Sequence, residues 1–241
     1  MPNHIKNKIE LIGSLADIDS ILKTFGTDVP ASVKMTHDND LVICKSKTKE
    51  HGFCWLDLKT GKVHDRGELN QIGLPDDFEI ELDDAFFCFP DFKKVIPPPS
   101  DDPAYNDKPS QKVAEKSPNW WYNWNIANWG TKWSAYTCRK EAINVYTFET
   151  AWSPVHKIIE AMSNLFPALV IKYTWADEDS GYNCGRATYQ KGMGEIFKPD
   201  GGSINAFDIY FELNPESKTN YKLVGDKYEY VEEEYADSSN S

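Results

Sequence analysis

The hydrophobic and polar positions of this 241-residue chain predict mixed helix and strand structure. Apolar and charged side chains alternate over residues 5–12, which is typical of a half-buried strand. Over residues 15–25 the apolar positions recur at helical spacing. Ser14 is placed to cap the start of this helix and Gly26 to end it. The chain therefore opens with a predicted β-α unit.

The following segment predicts strands and then a connector. Alternation over residues 53–58, a turn at residues 59–62 and a restart at Val63 indicate a β-hairpin. Six of the 14 prolines fall within residues 97–118, where they favour an extended or irregular connector. These features predict an N-terminal α+β region (1–96), the connector (97–118), a second region (119–215) and an acidic, partly disordered tail (216–241).

The second region combines a tryptophan-rich block with a strand and helix pattern. Five of the eight tryptophans lie between residues 120 and 133, and their spacing predicts a short helix to about Asn128 with a turn at Gly130. Beyond this block the pattern predicts one helix among several strands. The predicted strands are 142–148, 169–175, 184–190, 193–197 and 207–213, and the predicted helix is 155–165.

Charge and composition exclude several classes of protein. The formal net charge is -12 and the pI is about 4.9, which disfavours binding to duplex nucleic acid. No run of 18 apolar residues is present and the N-terminus lacks the apolar core of a signal peptide. We therefore expect a cytoplasmic protein with no membrane partner. Its oligomeric state is left open.

The chemistry-bearing residue types predict neither a metal site nor a cofactor. The five cysteines are scattered without a CxxC pair, which predicts reduced thiols. The five histidines have no metal-ligand spacing. The glycine-bearing loops match neither nucleotide-binding fingerprint. We expect no cofactor, and no residue has a catalytic signature.

Several sequence blocks resemble one known family. The blocks are the opening Met1-Pro2-Asn3-His4, FKKVIPPP at 92–99, NWGTKWSAY at 128–136, FETAWSPV at 148–155 and YTWADEDSG at 173–181. Over roughly residues 1–215 the chain resembles the YubB-like family of phage and plasmid proteins, which has a ferredoxin-like domain in its C-terminal part. The resemblance implies an α+β fold, a ferredoxin-like antiparallel sheet with helices on one face, with the N-terminal βα/β-hairpin region added. It also implies a mobile-element origin, but neither a reaction nor catalytic residues.

Two segments supply most of the candidate binding residues. The tryptophans of the block could stack on a ligand, with Lys132 beside them, although a buried helix and turn that plugs the sheet is the alternative. Three consecutive acids before Ser180-Gly181 could rim a cleft, although a solvated loop is the alternative and their spacing fits no calcium loop. The candidate residues are Trp129, Lys132, Trp133, Trp152, Asp177, Glu178, Asp179, Asn183 and Arg186.

These residues support three functional hypotheses. The first is a phage- or plasmid-type accessory protein that acts as a non-catalytic binding module for a host protein or small ligand through its Trp/Asn-rich surface. The second is an enzyme or nucleotide-handling protein with a pocket around the Asp-Glu-Asp loop, formed by Trp129, Lys132, Trp152, Asp177, Glu178 and Arg186. The third is a single-stranded nucleic-acid binder with stacked tryptophans, which needs a basic groove that Lys132, Arg139 and Lys140 supply only in part.

Overall fold

The computed structural model describes residues 3–29, 86–106 and 117–231, and the backbone of five strands between residues 41 and 81. The chain forms two compact units. The first consists of Met1–Gly26 and Phe89–Ser241, and the second of Thr27–Cys88. The N-terminal strand is therefore in the same unit as the strands of the second region.

The strands are β1 (His4–Ile12), β2 (Thr27–Val29), β3 (Leu41–Ser46), β4 (Phe53–Asp57), β5 (Val63–Asp65), β6 (Gln71–Ile72), β7 (Ile80–Glu81), β8 (Phe86–Cys88), β9 (Tyr136–Ala142), β10 (Val145–Ala151), β11 (Val170–Asp177), β12 (Gly185–Gln190), β13 (Met193–Phe197), β14 (Tyr221–Val224) and β15 (Lys227–Tyr230). The helices are α1 (Leu15–Phe25), α2 (Phe92–Val95), α3 (Pro103–Asn106), α4 (Trp121–Trp129), α5 (His156–Leu165), α6 (Ile204–Leu213) and a 3₁₀ helix (Pro215–Asn220).

The first unit is built on an antiparallel sheet in the order β13-β12-β11-β1-β10-β9. β1 lies between β10 and β11 and is antiparallel to both. β10, α5 and β11 therefore form a split β-α-β unit around β1. The order β11-β1-β10-β9, with α1 after β1 and α5 after β10, is the ferredoxin-like arrangement, and β12 and β13 extend it. The predicted ferredoxin-like α+β fold is confirmed.

The predicted β-α opening also forms as expected. Ile5, Asn7, Ile9 and Leu11 of β1 are fully buried, while the alternating residues Lys6, Lys8 and Glu10 are only partly buried. The Ser14 side chain accepts a hydrogen bond of 3.1 Å from the Asp17 backbone N–H and caps α1. Alternation along the strand and spacing along the helix thus place both apolar sides in the core.

Residues 207–213 form part of helix α6, so the prediction of a strand there is wrong. The buried face of α6 packs around Phe207 and Phe211, and these rings also contact Tyr221 and Tyr228 of the β14–β15 hairpin. A helix that is covered on two sides is apolar over most of its circumference, so it loses the amphipathic pattern that identifies a surface helix. The aromatic and β-branched run therefore resembled a buried strand.

Helix α6 also adds a second covered face to the sheet. Lys8 forms a 3.0 Å ion pair with Glu212, and Arg186 forms one of 2.8 Å with the same carboxylate. Lys8 and Ile9 are adjacent on β1, so their side chains point to opposite faces of the sheet. Ile9 is paired in register with Tyr173, whose hydroxyl accepts a hydrogen bond from the Val155 N–H just before α5. α5 and α6 therefore lie on opposite faces, whereas the family resemblance implied helices on one face.

Two further details of the first unit differ from expectation. Where the sequence predicts one strand over residues 142–148, the structure has the β9–β10 hairpin with its turn at residues 143–144. Cys138 of β9 is disulfide-bonded, so the expectation of a reduced thiol is wrong there, whereas Cys184 is a buried free thiol. Within the described residues no helix is long and apolar enough to cross a membrane.

The second unit contains the predicted hairpin. β4 and β5 pair antiparallel, as the alternation over residues 53–63 predicts, in a sheet of order β6-β5-β4-β3-β7. β2 and β8 form a separate pair, and Cys88 at the end of β8 is disulfide-bonded, again contrary to the expected thiol. Residues 107–116 of the predicted connector and residues 232–241 of the predicted tail lie outside the described residues.

Candidate binding surface

A buried hydrogen-bond network crosses the centre of the sheet and ends at the turn after β10. The Tyr173 hydroxyl donates to the Asn7 side-chain oxygen at 2.6 Å and accepts from the Val155 backbone N–H at 2.9 Å. The Asn7 amide donates to the Thr150 hydroxyl at 3.0 Å, and that hydroxyl donates to the Ser153 carbonyl at 2.9 Å. Every member is therefore paired, as buried polar groups must be.

This network fixes a strained turn at Trp152. The Trp152 backbone has φ of 68°, which is rare for a bulky residue. The Ser153 N–H bonds the Ala151 carbonyl at 2.9 Å, so residues 151–153 form a γ-turn with a positive φ at its centre, the strained form of that turn. The Thr131 hydroxyl bonds the same carbonyl at 2.7 Å. Surrounding contacts thus impose a conformation that the residue would not adopt alone.

The turn exposes the Trp152 indole beside a lysine and two further rings. The Lys132 ammonium lies 4.4 Å from the Trp133 ring centroid, 5.2 Å from that of Trp152 and 5.8 Å from that of Tyr122. Trp152 is 41% exposed, and the other three residues are half-buried. Tyr122 and Trp152 also pack edge to face at 6.4 Å. We name Tyr122, Lys132, Trp133 and Trp152 the lysine cage.

The predicted acidic loop lies next to the lysine cage and is joined to it through Asn3. The Asn3 carbonyl accepts a 2.8 Å hydrogen bond from the Trp152 N–H, and the Asn3 amide donates to Asp177 at 3.2 Å and to Asp179 at 3.3 Å. Asp177 is only 5% exposed and also accepts from Asn183 at 2.9 Å. Asp177 therefore shapes the loop from within, whereas Glu178 and Asp179 are exposed at its surface.

A histidine and a tyrosine connect the acidic loop with the cage on the other side. A 2.6 Å hydrogen bond joins His4 Nδ1 to the Tyr136 hydroxyl, and the Glu149 carboxylate is 3.9 Å from the same nitrogen. Tyr136 also packs edge to face with Trp133 at 6.4 Å. Burial, together with the carboxylates of Glu149 and Glu178, raises the pKa of Tyr136 well above its usual value of 10.0. Tyr136 therefore stays protonated and acts as a hydrogen-bonding group, not as a base.

Two of the predicted residues lie elsewhere. Trp129 is 1% exposed, and its indole N–H donates to the Ile96 carbonyl at 2.9 Å while its ring packs on Phe92. Arg186 forms its ion pair with Glu212 on the α6 face of the sheet. The six residues of the pocket hypothesis therefore do not converge on one cavity.

The structure also brings in residues that the sequence interpretation did not single out. Tyr122 completes the lysine cage, while Asn3, His4 and Tyr136 connect the cage with the acidic loop. His4 and Tyr136 both lie in blocks that carry the family resemblance, and this was the available signal. Tyr122 had no such signal, because its place depends on α4 ending at Gly130 in a left-handed conformation with φ of 84°.

An open groove of about 560 Å³ lies away from this surface. It is lined by residues of α4, α5 and the β12–β13 turn, among them Lys157, Glu160 and Lys191. None of the predicted site residues lines it, and its charges are mixed in sign. In the described part of the chain no three His, Cys, Asp or Glu side chains form a cluster that could hold a metal ion.

Comparison with known proteins supports the fold. A family model described as a ferredoxin-like domain in Api92-like protein matches residues 132–212, about a third of the chain. That range begins at Lys132 of the cage and ends in α6, and it contains five of the six strands of the main sheet. No curated protein matches the chain significantly. A crystal structure of a protein api92 from Yersinia pseudotuberculosis is similar, with 12% identity and a TM-score of 0.43, covering 83% of this chain and 99% of that one.

Proposed function

We propose that this chain is a non-catalytic binding module that contacts its partner through the lysine cage and the adjacent acidic loop. The observation that carries the proposal is Trp152, a large aromatic side chain that is 41% exposed on a strained turn. Following the resemblance to phage and plasmid proteins, the proposal takes the partner to be a cytoplasmic host protein or a small ligand.

Two energetic arguments support a recognition role for Trp152. An exposed indole forgoes the stabilisation that burial of a tryptophan gives, and exposed aromatic side chains are enriched at interfaces. A positive φ at a bulky residue costs about 1–3 kcal/mol and persists only where the surroundings enforce it. A fully paired network of Asn7, Thr150 and Tyr173 enforces it here. A conformation that lowers stability and displays an aromatic ring is best explained by binding.

The arrangement favours this hypothesis over the two alternatives. The pocket hypothesis needs Trp129 and Arg186 in one cleft, but Trp129 is buried in the core and Arg186 is on the α6 face. The nucleic-acid hypothesis needs a basic groove around the stacked rings. The cage has one lysine, and its neighbours include the carboxylates of Glu149, Glu178 and Asp179, which repel phosphates.

Affinity capture with matched variants tests the proposal. Wild type, Trp152→Ala and Ile143→Ala are immobilised and exposed to a bacterial lysate, and the retained molecules are quantified by mass spectrometry. Ile143 is the control because it is 61% exposed in the turn of the β9–β10 hairpin. We expect wild type and the Ile143→Ala control to retain the same partner. The amount retained by Trp152→Ala should be lower by a factor of about ten or more, because aromatic anchors dominate interfaces.

The folded state of each variant is checked by near-UV circular dichroism before capture. A partner whose retention falls only in Trp152→Ala supports a binding role for this surface. Identical retention by the three folded proteins would overturn the proposal, because the exposed ring would then contribute nothing to recognition.

A further inference from the structure

We infer that the lysine cage is a binding site for an alkylated ammonium group, and that Lys132 fills it from within the chain when no ligand is bound. The inference rests on the proposed function, because it names the chemistry that the same surface recognises. The group could belong to a free quaternary amine or to a methylated lysine of a protein, since both present the same methylated cation.

The first argument is that a cation already occupies the cage. An ammonium within about 6 Å of an aromatic centroid is attracted by the ring's negative face. The Lys132 nitrogen meets that criterion for three rings at once, at 4.4, 5.2 and 5.8 Å. Significant cation–π pairs occur only about once per 70–80 residues, so three on one nitrogen identify a pocket suited to positive charge.

The second argument is that the rings are what hold the ammonium. Among the described residues, Lys132 forms no ion pair and its ammonium makes no hydrogen bond, whereas Lys8, Lys23 and Lys172 are each paired with a carboxylate. Lysine is strongly hydrated and has a flexible four-carbon stem. Its ammonium can therefore leave the cage and return to water at a small energetic cost.

The third argument concerns which cation would replace it. An alkylated ammonium is less strongly hydrated than the lysine ammonium, and aromatic cages are a known means of recognising such groups. Asn3 joins the Asp179 carboxylate to the Trp152 backbone. Tyr136, which packs on Trp133, is close enough to the Glu149 and Glu178 carboxylates for both to raise its pKa. Their negative charge favours an incoming cation and gives a partner's cationic segment acids to pair with.

Titration of the full chain with choline tests the inference. The indole N–H signals of Trp133 and Trp152 are followed by NMR and identified with the Trp133→Phe and Trp152→Phe variants. Lys132→Ala empties the cage, and Lys132→Met keeps the apolar stem without the charge. We expect choline to bind Lys132→Ala about five- to tenfold more tightly than wild type, because the tethered competitor is removed.

The neutral isostere 3,3-dimethylbutan-1-ol separates cation recognition from hydrophobic contact. We expect it to bind Lys132→Ala at least about tenfold more weakly than choline. A trimethyllysine peptide and its unmethylated form then distinguish the two sources of the cation. Tighter binding of the methylated peptide than of choline indicates a protein ligand, and the reverse indicates a small molecule.

Failure of the inference is distinguishable from failure of the proposed function. If choline and its isostere bind the folded Lys132→Ala and Lys132→Met proteins equally, or neither shifts the two indole signals, the inference is overturned. The proposed function still stands in that case if partner capture depends on Trp152. If capture by wild type and Trp152→Ala is the same, the proposed function itself fails.

Discussion

Trp129 and Trp152 lie in neighbouring parts of the first unit but have opposite environments. Trp129 is 1% exposed, donates its indole N–H to the Ile96 carbonyl and packs against Phe92. Trp152 is 41% exposed and sits on a backbone with φ of 68°. The comparison teaches that residue type alone does not separate core from surface in this chain, and that the backbone conformation around each tryptophan does.

The largest expected effect is on the buried side of this comparison. Trp129→Ala removes a fully buried ring and leaves the Ile96 carbonyl without its donor, so we expect a loss of about 3–5 kcal/mol in the free energy of unfolding. Denaturant unfolding measures it. Ile126→Ala, on the same helix and 39% exposed, is the control and should change stability by less than about 1 kcal/mol. Equal effects of the two would show that Trp129 is not in the core.

The next effect tests whether the buried network holds the exposed turn. Asn7→Ala removes the acceptor of the buried Tyr173 hydroxyl and the donor to the Thr150 hydroxyl, so each keeps only one of its two partners, and we expect a loss of about 1–3 kcal/mol in stability. The freed turn should also increase acrylamide quenching of tryptophan fluorescence. Asn164→Ala, at an exposed position on α5, is the control. A loss of stability without a change in quenching would separate the network from the turn.

Glycine at position 152 should relieve the backbone strain of the exposed turn and so stabilise the protein relative to alanine. Glycine adopts positive φ without the Cβ clash that other residues meet there. We therefore expect Trp152→Gly to be more stable than Trp152→Ala by about 1 kcal/mol, although glycine usually destabilises. Thermal unfolding of the pair measures this difference, and both variants should lose the partner equally. Lower stability of the glycine variant would mean that the turn is not strained.

Periodicity in the sequence predicts those parts of the fold in which one side of an element is buried. β1 and α1 alternate between core and solvent, so their patterns are clear, and the Ser14 cap was recognised from local sequence. α6 fails the same test because both the sheet and the β14–β15 hairpin cover it. Between residues 206 and 213 only Asp208 and Glu212 are polar, and this narrow polar side is too small to distinguish the helical period from that of a strand.

The candidate surface could be predicted only in part for a related reason. Lys132, Trp133 and Trp152 were singled out from sequence, and the structure places them within one cage. Tyr122 joins them only because Gly130 reverses the chain after α4, and Asn3 joins the acidic loop only because β1 lies between β10 and β11. Such long-range contacts follow from topology, and local spacing does not encode them.

The smallest effect that we predict is on the pH dependence of stability, and it arises from the half-buried His156. Burial, with the nearby Lys198 charge, lowers the pKa of His156 below 6.5, and its ring packs on Tyr173 and Trp175 while Nδ1 bonds the Tyr189 hydroxyl at 2.8 Å. Below about pH 6.5 the unfolded chain therefore binds a proton that the folded state resists, so stability should fall as the pH falls. Above that value the histidine is neutral in both states and its contribution is fully present.

Two variants test this origin of the pH dependence. His156→Gln should reduce the slope of unfolding free energy between about pH 7 and about pH 5, because the titrating group is gone while an amide can still bond Tyr189. Lys198→Gln should reduce the slope in part, because removing the like charge raises the pKa of His156 toward its unfolded value. An unchanged slope in both variants would place the pH dependence elsewhere. A lower slope in both variants would show that the pH dependence originates at His156 among the buried aromatic rings and not at the exposed Trp152 surface.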